Sequence, residues 1–201
     1  IIGSGNVAQH LIVAFQNAQN SGTEIELVQV YSRQTASVAH LLGLEQLTNN
    51  LDDLAEADLY IIAVSDDAIA AVSSQLPFKN RLVVHTSGGV ALNVLNDDNR
   101  KGVFYPLQSF TKNKPIDFKT IPICLESENA TDYQLLDKVA KTISDTVFAI
   151  NSEQRKALHV AAVFVNNFTN HLYQLGQEIC LENKVPFERV VFALGIRFVG
   201  E

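Results

Sequence analysis

The chain has no methionine and no tryptophan, and only two cysteines and five prolines among its 201 residues. Cys124 and Cys180 form no CxxC pair and have no His or Cys at metal-ligand spacing, which excludes a disulfide-stapled scaffold and a zinc module. Both read as reduced thiols in apolar surroundings, and no metal site is expected. Without a methionine, Ile1 is not expected to be the native start. Either residues precede it or the numbering omits modified methionines, which would shift spacings by one. No window nears the ~18 consecutive apolar residues of a spanning helix, and no basic leader precedes an apolar stretch. A cytoplasmic protein with no membrane partner is expected. Basic charge is in deficit, with 15 Lys and Arg against 22 Asp and Glu and a net charge of -7. Such a field repels polyanions and argues against nucleic acid as a partner. Any anionic ligand must then be held by local dipoles and particular Arg or Lys side chains. What the chain does have is a 47% hydrophobic content with 18% charge, enough for a substantial core.

Ile1-Ile2 read as the end of a buried strand that runs into Gly3-Ser4-Gly5-Asn6-Val7-Ala8. A helix follows, with Val7, Leu11, Ala14, Phe15 and Ala18 on one face. A β-rich run spans Ile25 to Tyr31, and a helix is expected from about Thr35 to Leu42. Leu59 to Val64 and Leu82 to Val84 are apolar almost throughout, as strands buried on both faces should be, with a helix from about Asp66 to Leu76 between them. This alternation implies an α/β fold with a doubly wound, mainly parallel sheet. Further strands are expected at Val103–Leu107, Ile121–Leu125 and Thr146–Ile150, with a charged stretch at Lys112, Lys114 and Pro115 and a helix from about Thr131 to Ser144. From Asn151 the pattern is helical alone, opened by Asn151 with Gln154 three residues on, a capping box. The expected division is residues 1–150 as a nucleotide-binding domain and 151–201 as the start of an incomplete, all-helical one.

Strand, GxGxxA and helix in succession form a dinucleotide-binding fingerprint. Gly3 allows the tight turn, Gly5 leaves room for a pyrophosphate, and Ala8 lets helix pack on strand. Ser4, Asn6 and Val7 complete the loop, whose helix N-terminus offers free N–H groups to phosphates. The end of the second strand reads Tyr31-Ser32-Arg33-Gln34, with no carboxylate to bind ribose hydroxyls. Ser32 and Arg33 suit a 2'-phosphate, so NADP(H) is expected over NAD(H). Ligands lie beyond the carboxyl ends of such strands, which selects Val64, Ser65 and Ser87 for the nicotinamide side. Asp66 and Asp67 read as helix caps as readily as ligand contacts, and His85 as a structural histidine. Gln108 and Ser109 are polar candidates on the same rim.

On the long helix, Lys156, His159, Val163, Asn167 and Asn170 share one stripe, flanked by Asn166 and His171. Leu158, Ala161, Val165, Phe168 and Leu172 lie opposite. A stripe of neutral hydrogen-bonding groups mixed with valine suits either a ligand-facing wall or a polar seam against another helix or subunit.

Taken together, the Gly3–Ala8 loop, Val64-Ser65-Asp66-Asp67, His85-Thr86-Ser87-Gly88, Phe104-Tyr105-Pro106-Leu107-Gln108 and Lys156-Ala157-Leu158-His159 with Asn166-Asn167 resemble a family of bacterial NADP oxidoreductases. These pair a Rossmann-like domain with a helical domain of unknown function, and are similar to pyrroline-5-carboxylate reductase, deazaflavin-dependent NADP reductases and the 6-phosphogluconate dehydrogenase group. The resemblance covers about residues 1 to 187; the family would continue in helices where Glu188 to Glu201 follows no recognised pattern. It implies a nicotinamide-binding domain, a helical domain that builds a homodimer, and a cleft between them. The expected activity is NADP(H)-dependent oxidation or reduction of a small ketone, imine or hydroxy acid. Lys156 or His159 is the expected proton donor, with Asn167 or Asn166 and Ser87 fixing the substrate's polar atoms. Two other readings stand beside it: an NADP-binding sensor without turnover, and a dimer module whose contact is the polar seam.

Overall fold

The computed structural model describes residues 1–111 and 114–187. The segment 188–201 and Lys112 of the charged stretch lie outside the described residues. Contacts divide the chain into two compact units, Ile1–Ala157 and one that begins at Leu158.

In the first unit Ile2 bridges Tyr31 on one side and Ile62 on the other, both in parallel. Tyr31 belongs to strand β1 (Val30–Tyr31), beyond which lies β2 (Leu47–Thr48); Ile62 belongs to β3 (Leu59–Ile62), beyond which lie β4 (Leu82–His85) and β5 (Arg100–Pro106), all parallel. Strand β6 (Ile123–Ser127) is antiparallel to β5, and β7 (Val147–Ala149) runs parallel to β6. The chain therefore winds outward from Ile2 to β1 and β2, then returns to the other side of Ile2 for β3 to β5. Strand order reverses beside Ile2, which is where a doubly wound sheet opens its ligand crevice.

Both faces of the sheet are buried, and the pleat sorts the residues. Leu82 and Val84 join Leu11, Ile12 and Phe15 of α1 (Asn6–Asn20) and Leu136 and Ala140 of α3 (Ala130–Ile143) in one core. Val83 joins Tyr60, Ile62 and Ile69 of α2 (Ile69–Ser74) in the other. Successive strand side chains point to opposite faces, so an unbroken apolar run such as Leu82-Val83-Val84 feeds both cores at once.

The expected helix at Thr35–Leu42 is instead a single 3-10 turn, Thr35–Ser37. The Ser37 hydroxyl donates to the Gln34 carbonyl at 2.7 Å, the local competition by which serine opposes a helix. The run Ile25–Tyr31 pairs as a strand only at Val30–Tyr31, where its ladder partners are Ile1–Gly3 and Leu47–Thr48.

Helix α4 (Ser152–Ala162) opens with the capping box: Gln154 N–H donates to Asn151 Oδ1 at 2.8 Å, and Asn151 N–H to Gln154 Oε1 at 3.0 Å. A π-helical stretch, Val163–Phe168, follows, and then α5 (Thr169–Glu182). A π turn takes one more residue than an α turn, so positions beyond Phe168 are displaced by about one residue. The expected stripe is thereby corrected: after His159, Val163 and Asn167 it continues to His171, not Asn170. Asn170 Nδ2–H donates to Asn166 Oδ1 at 3.3 Å, on the neighbouring side. Among the described residues no helix is long and apolar enough to cross a membrane.

Candidate functional site

A cleft of about 1010 Å³ opens at the carboxyl ends of the strands, where the strand order reverses. Its walls are the Gly3–Val7 loop, Tyr31–Gln34 after β1 and Ala63–Ser65 after β3. Nine of the ten residues expected to bind cofactor line it: Gly3, Ser4, Gly5, Asn6, Val7, Ser32, Arg33, Val64 and Ser65. At this volume it stands at the upper end of small-molecule sites, as an extended dinucleotide requires.

The two glycines of the loop do different work. Gly3 has φ +134, and a Cβ there would overlap the Ala63 carbonyl, lying 2.8 Å from its carbon. Gly3 thus lets the first strand end flush against β3. Gly5 has φ -70, and a Cβ built on it meets nothing within 4 Å. The space before it is open to a group bound against the backbone. Behind the loop Ala8 is fully buried, the close approach of helix to strand that a small side chain permits. Helix α1 has no side-chain cap and no acidic residue in its first turn. Its first N–H groups and the positive end of its dipole therefore serve whatever anion occupies the cleft.

Electrostatics agree. In a chain of net charge -7, no Asp or Glu is among the described residues lining the cleft, and Arg33 is the one charged side chain among them. Arg33 is exposed and makes no ion pair among the described residues. These residues fit a dinucleotide: an open glycine at a bare helix N-terminus, and a cation at the far wall. Ser32 is placed differently from expectation. Its side chain is buried, its hydroxyl donates to Ser4 Oγ at 2.9 Å, and it accepts from Gln34 N–H at 3.1 Å. It shapes the turn that presents Arg33, and its proton is engaged with Ser4.

The cleft also holds residues that sequence reasoning gave no role. Phe110 closes one side; Asn6 Nδ2–H donates to its carbonyl at 2.9 Å, and the His10 ring packs on its ring at 4.9 Å. A lone phenylalanine in an irregular stretch carries no periodic signal. Gln108, a polar candidate by sequence, does line the cleft; Ser109 does not.

Ser87 lies outside the cleft lining, one strand further, in a loop after β4. It is buried, and its Oγ accepts from Gly89 N–H at 3.1 Å and Val90 N–H at 3.0 Å. Asp66, next to Ser65, places Oδ2 3.7 Å from where a Cβ on Gly89 would stand. His85 is fully buried and its Nδ1 accepts from Ser87 N–H at 3.2 Å, which leaves its proton on Nε2. Burial first, and the nearby Arg155 charge second, push its pKa down to about 4, so it is a neutral structural histidine. Among the described residues Nε2 finds no partner in hydrogen-bonding geometry, although the Ala91 backbone lies near enough to favour the charged form a little. Burial pushes the Tyr105 phenol up to about 12 and the Cys124 thiol up to about 11.

Arg155, Glu126 and Ser152 were not foreseen. Arg155, in the second turn of α4, is 1% exposed and pairs with Glu126 of β6. A buried charge needs both a partner and further hydrogen bonds. Arg155 donates to the Val90 carbonyl at 2.5 Å and to Ser152 Oγ at 3.2 Å. Ser152 O–H donates to Glu126 at 2.8 Å and its N–H does so at 2.9 Å, while Ser152 Oγ accepts from Leu92 N–H at 3.1 Å. Removing one partner of such a pair costs about 3–5 kcal/mol, so Arg155→Ala is expected to lower the melting temperature markedly in a thermal scan.

Of the expected catalytic residues, the donor candidate Lys156 is exposed and belongs to the first unit, while the half-buried donor candidate His159 and the exposed substrate-holding candidate Asn167 belong to the second. Lys156, in the same unit as the cleft, does not line it. Asn167 Oδ1 accepts from Asn166 Nδ2–H at 3.3 Å. Among the described residues no group of three or more His, Cys, Asp or Glu gathers as a metal site would.

The family described as NADP oxidoreductase, coenzyme F420-dependent, matches residues 1–89, and a domain of unknown function, DUF2520, matches residues 121–195. No match is found among curated proteins. A Bacteroides fragilis protein provisionally named NADP oxidoreductase BF3122 is similar at 38% identity over 96% of this chain and 75% of its own, with a TM-score of 0.80. Protein TM1727 of Thermotoga maritima (20% identity, 96% and 74% covered, TM-score 0.70) shares the fold. So does a pyrroline-5-carboxylate reductase of Coxiella burnetii (18% identity, 94% and 72% covered, TM-score 0.64).

Proposed function

The chain belongs to the family of the Bacteroides fragilis NADP oxidoreductase, nicotinamide-dependent oxidoreductases, and from that premise we propose that it transfers hydride between NADP(H) and a small ketone, imine or hydroxy acid. The observation that carries the cofactor preference is Arg33, which stands on the cleft wall where the described lining residues include no carboxylate and no other charge. An Asp or Glu at the end of β1 would bind ribose hydroxyls and repel a 2'-phosphate; Tyr31-Ser32-Arg33-Gln34 does neither. The guanidinium, presented by the Ser4–Ser32–Gln34 hydrogen bonds, would pair with that phosphate and offer its plane to the adenine. At the other end of the cleft, Val64 and Ser65 would hold the nicotinamide side, with the Ser87 loop one strand further.

The bound nicotinamide supplies the hydride chemistry. Protein groups supply orientation and the proton, which we assign to Lys156 or His159, with Asn167 holding the substrate's polar atom. Exposed Phe164, Val165, Leu172 and Ile179 of the second unit support association of two copies through that unit.

Calorimetry tests the cofactor assignment. Arg33→Ala is expected to weaken NADPH about 10- to 100-fold, one charge-assisted contact to a phosphate being on the order of 1.5–3 kcal/mol, and to leave NADH within about twofold. Equal affinity of the native chain for NADPH and NADH would overturn it. For the proton donor, Lys156→Ala and His159→Ala are to be compared in stereospecific hydride transfer to a carbonyl and imine panel; unchanged turnover in both would remove them from the mechanism.

A further inference from the structure

We infer that Arg155, Glu126 and Ser152 form a positioning cluster that holds the Ser87–Leu92 loop in the conformation that receives the nicotinamide end of the cofactor; this rests on the dinucleotide reading above. The loop has few anchors of its own. Its start is pinned by His85 Nδ1, which accepts from Ser87 N–H at 3.2 Å, and by Ser87 Oγ, which accepts from Gly89 and Val90 N–H. Its end has no strand or helix longer than the 3-10 turn Leu92–Val94. Val90 also packs against the core of Ile62, Ile69 and Val83, and further constraints come from far along the chain. Arg155 holds the Val90 carbonyl and Ser152 holds the Leu92 N–H, 65 and 60 positions away in sequence.

Both holders are themselves fixed by Glu126. Its carboxylate pairs with Arg155 and accepts the Ser152 hydroxyl and N–H, so one side chain from β6 caps α4 and orients both anchors. The cluster therefore clamps a loop from the outside, by charge-assisted bonds centred on the buried Arg155. The loop it clamps passes Asp66, the neighbour of the cleft residue Ser65, while the adenine end of the cleft at Arg33 lies across the Ile2 strand. A fault in the clamp should reach one end of the ligand and spare the other.

Ser152→Ala removes the Leu92 anchor and leaves the ion pair in place; Ser152→Thr keeps the hydroxyl. The test measures by calorimetry the affinity of the full chain for NADPH and for adenosine 2',5'-bisphosphate, which lacks the nicotinamide half, with NADPH fluorescence as a second readout. Ser152→Ala is expected to weaken NADPH about 5- to 20-fold, to hold the bisphosphate within about twofold and to lose the fluorescence change of bound nicotinamide. Ser152→Thr is expected to restore NADPH binding. Equal weakening of both ligands would mark a merely structural role and overturn the inference, as would unchanged NADPH affinity in the folded Ser152→Ala protein. If the native chain binds neither ligand, the dinucleotide reading itself fails; if it binds both equally well, that reading stands and the clamp does not.

Discussion

Alanine at Gly3 and alanine at Gly5 are expected to give opposite failures, although the two residues are two positions apart in one loop. Gly3→Ala should cost on the order of 4 kcal/mol of stability or more, a large part of the 5–15 kcal/mol typical of a domain. The new Cβ would meet the backbone of Ala63, whose N–H donates to the Ile2 carbonyl at 2.8 Å in the middle of the sheet, so neither side can yield without breaking the ladder. To this is added the strain of a positive φ near +134 that side-chain-bearing residues rarely adopt. Gly5→Ala faces neither obstacle. Its φ of -70 and ψ of -177 suit alanine, and its Cβ would enter open space. Losing glycine at an N-cap is unfavourable, and restricting the unfolded chain is favourable; the two leave stability within about 1 kcal/mol. That Cβ, however, stands where the pyrophosphate must touch the backbone, and NADPH affinity should fall at least tenfold, about 1.4 kcal/mol. Urea titration and calorimetry on the two variants separate these effects. Native-like NADPH binding by Gly5→Ala would show that the pyrophosphate does not lie against this loop.

That contrast also marks how far sequence reasoning reaches. The glycine spacing announces a phosphate loop, because strand, turn and helix are contiguous and each residue type answers a local steric need. The two-sided burial of Leu82-Val83-Val84 is likewise local, since an apolar run too short for a helix can be buried on both faces only in a covered sheet. Arg155 carries no such mark. In sequence it is one more charge on a helix bearing Glu153 and Lys156, and only the antiparallel turn of the sheet at β6 brings Glu126 beneath it. Ser152 reads as an ordinary first-turn residue for the same reason. The Asn170 expectation fails on a different ground: a stripe drawn at constant angle assumes an unbroken α-helix, and Val163–Phe168 is a π turn. Ser32 shows the limit inside a correct motif, since residue type indicates a phosphate donor while its own neighbours Ser4 and Gln34 already engage it.

Acid should destabilise the protein through His85 before the carboxylates begin to titrate. His85 is fully buried and neutral in the fold, with its pKa pushed down to about 4, whereas the unfolded chain carries an ordinary histidine near 6.5. Between those values the unfolded chain binds a proton that the folded chain refuses. Stability therefore falls as pH drops below about 6.5 and stops falling on this account near 4, with a total on the order of 3 kcal/mol. Asp67 and Asp97, whose carboxyls are lowered by hydrogen bonds from Ser65 and Lys101, act only further down, below the ordinary carboxylate range. Lys101, raised first by its hydrogen bond to Asp97, acts at the alkaline end. His85→Asn keeps an acceptor for Ser87 N–H and cannot protonate. Unfolding free energies of the native chain and this variant should run parallel from pH 8 to about 6.5 and converge or cross between 6.5 and 4. Curves that stay parallel through pH 4 would show that His85 protonates freely in the folded chain. The same titration should be felt at the cofactor. A protonated Nδ1 points a donor at the Ser87 N–H it formerly accepted and unpins the start of the Ser87–Leu92 loop; since folded His85 stays neutral until about pH 4, NADPH affinity should hold on this account from pH 6.5 and weaken only as pH nears 4, less so in His85→Asn.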